Sequence, residues 1–255
     1  MALRGTILPV VDKPASSCQL CALAHSGLTS LFCGLDLGQI ADYTATCIVR
    51  RTDLAVCRCE CHGDAPLAGG KARYDVVHLA RWRGRPYPEL VDEVARLLRT
   101  PQLRGKCQLV VDATGVGRAV VDMFQVCGVG LCAVTITGGN AESGSWPEFS
   151  VPKRDLVGAL VAVSQGKRLR IASSLPDAAA LSQEMLNFKV KIDARTAHDS
   201  YAAWRDGQHD DLVLSLAMAI WLAERFGGIG VARMAEPEVG THWIGGVAPP
   251  PGTWT

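Results

Sequence analysis

An α/β fold built on one mixed sheet is the architecture this sequence predicts, and three observations predict it. Three apolar, strand-like runs follow one another between residues 31 and 82, joined by connections that suit hairpins. From Pro88 onward, helical and strand patterns alternate, as they do where crossover helices link the strands of a sheet. The chain has 255 residues, 48% hydrophobic and 20% charged, enough to bury a sizeable core and not the composition of a disordered protein.

The elements follow in order. Leu31-Phe32-Cys33-Gly34-Leu35-Asp36-Leu37 reads as a buried strand, and Ala45 to Arg50 as a second after the polar turn Ala41-Asp42-Tyr43. Tyr74 to Trp82 supplies the third through Val76-Val77-His78-Leu79, beyond a Cys/Gly-rich insertion at 57–70. Pro88 opens a helix whose apolar face is Leu90, Val94, Leu97 and Leu98, and Thr100-Pro101 closes it. Leu109-Val110-Val111-Asp112 is a short strand ending on a carboxylate, followed by Gly115-Val116-Gly117 and a helix through Phe124. Strands are expected at Leu131 to Ile136, Leu169 to Ala172 and Phe188 to Ile192. Helices are expected at Lys153 to Ser164, Pro176 to Leu186 and, long and apolar, Asp210 to Arg225. The folded unit is thus a single domain over 32–226. It lies between a loose N-terminal arm, 1–31, and a Gly/Pro-rich tail, 227–255, both expected to be flexible.

Charge and cysteine content narrow the function. With 26 Lys+Arg against 25 Asp+Glu the net charge is +1, which excludes a polybasic binder and leaves room for an enzyme that meets nucleic acid in one groove. Ten cysteines in 255 residues are about 4%, below the roughly 8–10% of secreted disulfide frameworks. No signal-peptide pattern stands at the start, and the longest apolar stretch, Leu212 to Ala223, is broken by Ser215. It is shorter than the ~20 residues a bilayer span needs. The expectation is a cytoplasmic protein with no membrane partner.

Three acidic positions carry the chemistry: Asp36 in the first strand, Asp112 at the end of a later one, and Asp210-Asp211 at the start of the last helix. The carboxyl ends of strands form the ligand crevice of an α/β sheet, and a helix start beside them can bring a further carboxylate to the same edge. Converging carboxylates repel unless a cation neutralises them, and an all-oxygen set selects Mg²⁺ or Mn²⁺. Plainer roles stand beside this one. Asp210 or Asp211 can cap its helix, and Asp112 before Ala-Thr-Gly can organise a turn. Asp36 has no such role.

These residues also carry a resemblance. Gly34-Leu35-Asp36-Leu37-Gly38-Gln39, with Asp42-Tyr43-Thr44 behind it, resembles the first motif of the nuclease domain of phage terminase large subunits. Val110-Val111-Asp112-Ala113-Thr114-Gly115-Val116-Gly117 is similar to the second, and His209-Asp210-Asp211-Leu212-Val213 to the third. Val151-Pro152-Lys153-Arg154 matches a segment found between them. The resemblance covers roughly Phe32 to Arg225; it rests on order and spacing more than on any one motif. It implies a ribonuclease H-like fold and an endonuclease using two Mg²⁺ or Mn²⁺ ions to cut concatemeric viral DNA during packaging. Asp36, Asp112 and Asp211 would carry the metals, with Asp210 competing for the third place and Asp42 supporting a second metal or the attacking water. Lys153 and Arg154 become candidates for holding backbone phosphate, against an ordinary solvated pair. His209 becomes a candidate for phosphate or metal, against a local hydrogen-bond partner.

The chain departs from that family by lacking a Gly-x-x-x-x-Gly-Lys-[Ser/Thr] phosphate loop. The ATPase motor is then expected on a separate chain, lost, or in a part of the protein outside these 255 residues. The implied partners are double-stranded DNA, that ATPase chain, a small terminase subunit and a portal, in the cytoplasm of a phage or prophage host. Cys57-x-Cys59-x-Cys61-His62, with Cys18-x-x-Cys21 upstream, is poorly spaced for tetrahedral zinc, and zinc is not expected there. Gly115-Val116-Gly117-Arg118 lacks the lysine of a phosphate cradle and reads as a tight strand-to-helix turn. Trp82, Trp204 and Trp221 read as core or rim aromatics. Two other functions stay open. Asp36-Leu37-Gly38 loosely fits an actin-like or sugar-kinase ATPase, and a non-catalytic remnant would bind DNA or a packaging partner without cutting.

Overall fold

The computed structural model describes residues 29–38, 42–53, 72–191 and 210–227, with 188–191 as backbone only. Its strands are β1 (Thr29–Asp36), β2 (Tyr43–Thr52), β3 (Arg73–Arg83), β4 (Cys107–Asp112), β5 (Leu131–Thr137), β6 (Ser143–Ser145), β7 (Glu148–Pro152) and β8 (Leu169–Ile171). Its helices are α1 (Tyr87–Leu98), α2 (Gly117–Val126), α3 (Lys153–Gln165), α4 (Ala178–Lys191) and α5 (Asp211–Phe226). The strands form one sheet in the order β6-β7-β5-β4-β1-β2-β3-β8. β1, β2 and β3 form an antiparallel meander, while β4 and β5 add parallel to β1. This α/β arrangement, a mixed sheet flanked by helices, is the one expected.

Strand alternation divides the core. Phe32, Ala45, Cys47, Val49 and Val110 face one side, where they pack with Leu156 and Leu160 of α3, Leu181 of α4 and the length of α5. Cys33, Leu35, Ile48, Leu109 and Val111 face the other, against Val94 of α1 and Val120 and Phe124 of α2. Because side chains alternate along a strand, Gly34, Asp36 and Asp112 belong to the α5 side. Every residue of α5 from Asp211 to Ala223 is buried, so this helix is covered all round and serves as the spine of that layer.

Two elements differ from expectation. The apolar alternation Phe188, Val190, Ile192 predicts a strand, yet α4 runs on to Lys191. No Gly or Pro stands between Ala178 and Lys191, so nothing local stops the helix. The β6–β7 hairpin was not foreseen, because Ser143-Gly144-Ser145 has no strand propensity. β7 brings Val151 and Pro152 alongside Ile136 and Thr137 of β5, and so delivers α3 to the same sheet edge as Asp36. Among the described residues, no helix is long and apolar enough to cross a membrane.

Candidate active site

Backbone register brings the first two acids together. Gly34 lies opposite Val110 and Leu35 opposite Val111 on adjacent parallel strands. The next step puts Asp36 beside Asp112, with the strands ~4.8 Å apart.

A close helix contact brings the third. A Cβ at Gly34 would lie 1.9 Å from the Ser215 carbonyl oxygen, so only glycine lets α5 rest on β1 there. From that contact two residues along β1 advance ~7 Å to Asp36. One turn back along α5 covers ~6 Å to Asp211. Both carboxylates therefore arrive at the same edge, Asp36 at 7% exposure and Asp211 at 8%. Burial pushes the Asp36 carboxyl well above the usual carboxylate range, and Asp112, Asp211 and Asp210 push it further while Lys153 opposes them.

Asp112 has a structural duty as well. Its Oδ1 accepts the Thr114 N–H at 2.8 Å, and Thr114 Oγ1 accepts the Ile136 N–H at 2.9 Å. The turn that follows β4 is thereby pinned to β5. Gly115 takes φ +60° in that turn, and a Cβ at Gly117 would lie 2.0 Å from the Asp112 carbonyl oxygen. These glycines serve the tight strand-to-helix turn.

Asp210 occupies the N-cap position of α5 but makes no side-chain capping bond. Its Oδ2 instead lies 3.3 Å from Lys153 Nζ, at the start of α3. The Leu212 and Val213 N–H groups that a capping side chain would take donate to Glu184 Oε2, at 3.1 and 3.3 Å. Helix capping thus explains neither aspartate. Burial pushes Glu184 up to about 7; Asp211 adds to this, and the Val213 N–H, Arg81 and the Leu212 N–H oppose it. Arg81 Nη1 lies 3.8 Å from Glu184 Oε1, and its Nε lies 3.0 Å from Asp177 Oδ1. Ala45 pairs with Asp36 on one side and Arg81 on the other, so Arg81, Ala45 and Asp36 form one cross-strand row. Neither Glu184 nor Arg81 was expected from the sequence, where nothing near them marks a site.

The remaining candidates are spread out. Asp42 is exposed just ahead of β2, on the same edge. Arg154 donates to Asn140 Oδ1 at 2.7 Å and to the Asn140 carbonyl, and lies 3.5 Å from Asp155. Trp221 is buried edge-on to Phe149 at 5.5 Å, and Trp82 packs partly buried on the α1 side. His209, Trp204, Cys18, Cys21, Cys57, Cys59, Cys61 and His62 lie outside the described residues.

The donor set fits a hard divalent cation in kind. It is all carboxylate oxygen, it converges on one edge, and it includes a buried Asp36 among like charges. Among the described residues, no three His, Cys, Asp or Glu side chains close into a group that could hold a metal ion.

No protein-family model matches the chain, and no curated protein does either. Solved structures do. The large terminase nuclease from thermophilic phage G20c with bound magnesium is similar at 17% identity and a TM-score of 0.45, over 75% of this chain and 80% of that one. Its zinc-bound form matches at 19% identity and a TM-score of 0.44, over the same shares. The human cytomegalovirus terminase nuclease domain matches at 11% identity and 0.45, over 79% and 85%. Such distant likeness carries no function with it; the side chains must.

Proposed function

We propose that this chain is a metal-dependent DNA endonuclease of the terminase large-subunit type, cutting concatemeric viral DNA in the host cytoplasm. One observation carries the reading: Asp36, Asp112 and Asp211 come from three separate elements to one sheet edge, where mutual repulsion is costly without a cation.

Asp36, Asp112 and Asp211 would hold Mg²⁺ or Mn²⁺, with Asp210 next to them. When bound, two such ions supply an activated water and neutralise charge at the scissile phosphate. The protein's own part is placement. β1 and β4 fix the spacing of Asp36 and Asp112, and α5, seated on Gly34, fixes Asp211. Lys153 tempers the negative field from the α3 side and would meet a backbone phosphate. Arg154, engaged with Asn140, lies farther along the same helix start and extends that basic rim. Asp42 lies where it can orient water at the opening.

Gly38 counts against the ATPase alternative. Its N–H donates to Thr44 Oγ1 at 3.1 Å and its carbonyl accepts the Tyr87 hydroxyl at 3.0 Å. The amide that would cradle a nucleotide phosphate in an Asp-x-Gly loop is therefore committed. The test is incubation with supercoiled plasmid and Mn²⁺ beside Asp36→Ala. Metal-dependent nicking that the variant lacks is the expected result. An absence of cleavage with any divalent metal would sink the proposal, and ATP hydrolysis would favour the alternative.

A further inference from the structure

We infer that Glu184 is a positioning residue of this site. By capping α5 from the neighbouring helix α4, it frees Asp210 from that duty and fixes the first turn that carries Asp211 to the sheet edge. The inference rests on the nuclease reading for its functional meaning, and on the hydrogen bonds of α5 for its geometry.

The first turn of any helix leaves backbone N–H groups without intrahelical partners, and the side chain at the N-cap normally takes those at the second and third helical positions. In α5 these are Leu212 and Val213, and the side chain in place to take them is Asp210. An aspartate folded back onto its own helix cannot also face Asp36. Here both N–H groups donate to one oxygen of Glu184, at 3.1 and 3.3 Å. Asp210 turns to Lys153 instead. The capping carboxylate also sits at the positive end of a 16-residue helix, where negative charge is favoured.

Glu184 is itself held. Its second oxygen faces Arg81, which is fixed by Asp177 ahead of α4. Arg81 stands on the row that runs through Ala45 to Asp36. A line of contacts therefore runs from β3 through Arg81 and Glu184 to the first turn of α5. It sets the height of Asp211 relative to Asp36 from outside the acidic group. The two N–H bonds to Glu184 Oε2 give this carboxylate a supporting role in place of a ligand's.

The test compares full-length parent, Glu184→Ala and Glu184→Gln, each checked for folding by circular dichroism. Glutamine keeps an oxygen that can accept both N–H groups; alanine keeps none. Two readouts are taken: the rise in Tm with added Mn²⁺, and the Mn²⁺ and DNA dependence of plasmid nicking. Alanine should weaken apparent Mn²⁺ affinity about tenfold, the lower end of losses from outer-shell partners, and should lower kcat while leaving KM for DNA within about twofold. Glutamine should restore most of the affinity. A folded alanine variant with parental Mn²⁺ affinity overturns the inference, and so does glutamine as impaired as alanine. If the alanine variant does not fold, glutamine decides with amide exchange at Leu212 and Val213. Parental protection with parental affinity supports the role; parental protection with lost affinity refutes it. A parent that binds Mn²⁺ without nicking DNA ends the nuclease reading, and the affinity comparison still judges Glu184. A parent that does neither ends both.

Discussion

Gly34 and Ser215 touch through their backbones, with no space between them for even one methyl group. Gly34→Ala must push α5 off β1, and overpacking of this kind costs about 1–3 kcal/mol, occasionally more. Urea unfolding should show that loss. Nicking should fall further than stability does, because a helix shifted at Ser215 carries Asp211 away from Asp36. A variant with parental stability would mean that α5 can slide without cost.

Asp36 should trade stability for function. Its carboxylate is buried among three other acids, so Asp36→Asn removes repulsion and should stabilise the protein in EDTA by about 0.5–2 kcal/mol, read as a higher Tm. The same change should abolish metal-dependent nicking and the Mn²⁺-induced rise in Tm. A lower Tm in EDTA would show that the charge is stabilised by something other than metal.

His78 should make folding sensitive to mild acid. It is 1% exposed in β3, its Nε2 has no hydrogen-bond partner among the described residues, and burial lowers its pKa from 6.5 to about 4. Between those values the unfolded chain binds a proton that the folded chain refuses. Stability is therefore complete above about pH 6.5 and falls as pH drops toward 4, with a ceiling of about 3 kcal/mol. Glu184, raised to about 7, acts in the opposite sense over part of this window, losing its contribution as pH rises. The difference between parent and His78→Leu, measured from pH 7 to 4, isolates the histidine. An unchanged slope in the variant would contradict the assignment.

Asp75 anchors the far end of β3. It is buried and meets Arg50 at 3.2 Å, Arg73 at 3.5 Å and Arg170. Asp75→Asn leaves three guanidinium groups crowded together and should cost about 2–3 kcal/mol, less than a fully buried pair because the arginines reach solvent. Nicking measured well below the new Tm should be unaffected, because these residues lie at the opposite end of the strand from Arg81 and Arg83.

Asp36 and Asp112 stand out in the chain as candidates because they interrupt apolar strands, where a carboxylate has few structural reasons to be. Asp210 and Asp211 are not told apart by sequence. Both begin the same helix, and only the packed structure buries Asp211 and turns Asp210 to Lys153. Glu184 and Arg81 were illegible for a related reason: each looks like an ordinary polar residue on its own element, and their meaning arises where β3, α4 and α5 meet. The run from Phe188 misled because a two-residue alternation inside an unbroken helical stretch mimics a strand.

The capping contact also joins two parts of unequal permanence. α5 is enclosed along most of its length, whereas α4 shows open surface at Ser182, Gln183, Leu186 and Asn187. Local fluctuations begin where little is buried. A brief lifting of α4 would withdraw Glu184 and loosen the first turn of α5 while the rest of the core stayed shut. Such an opening would release the acidic edge without unfolding the rest of the core.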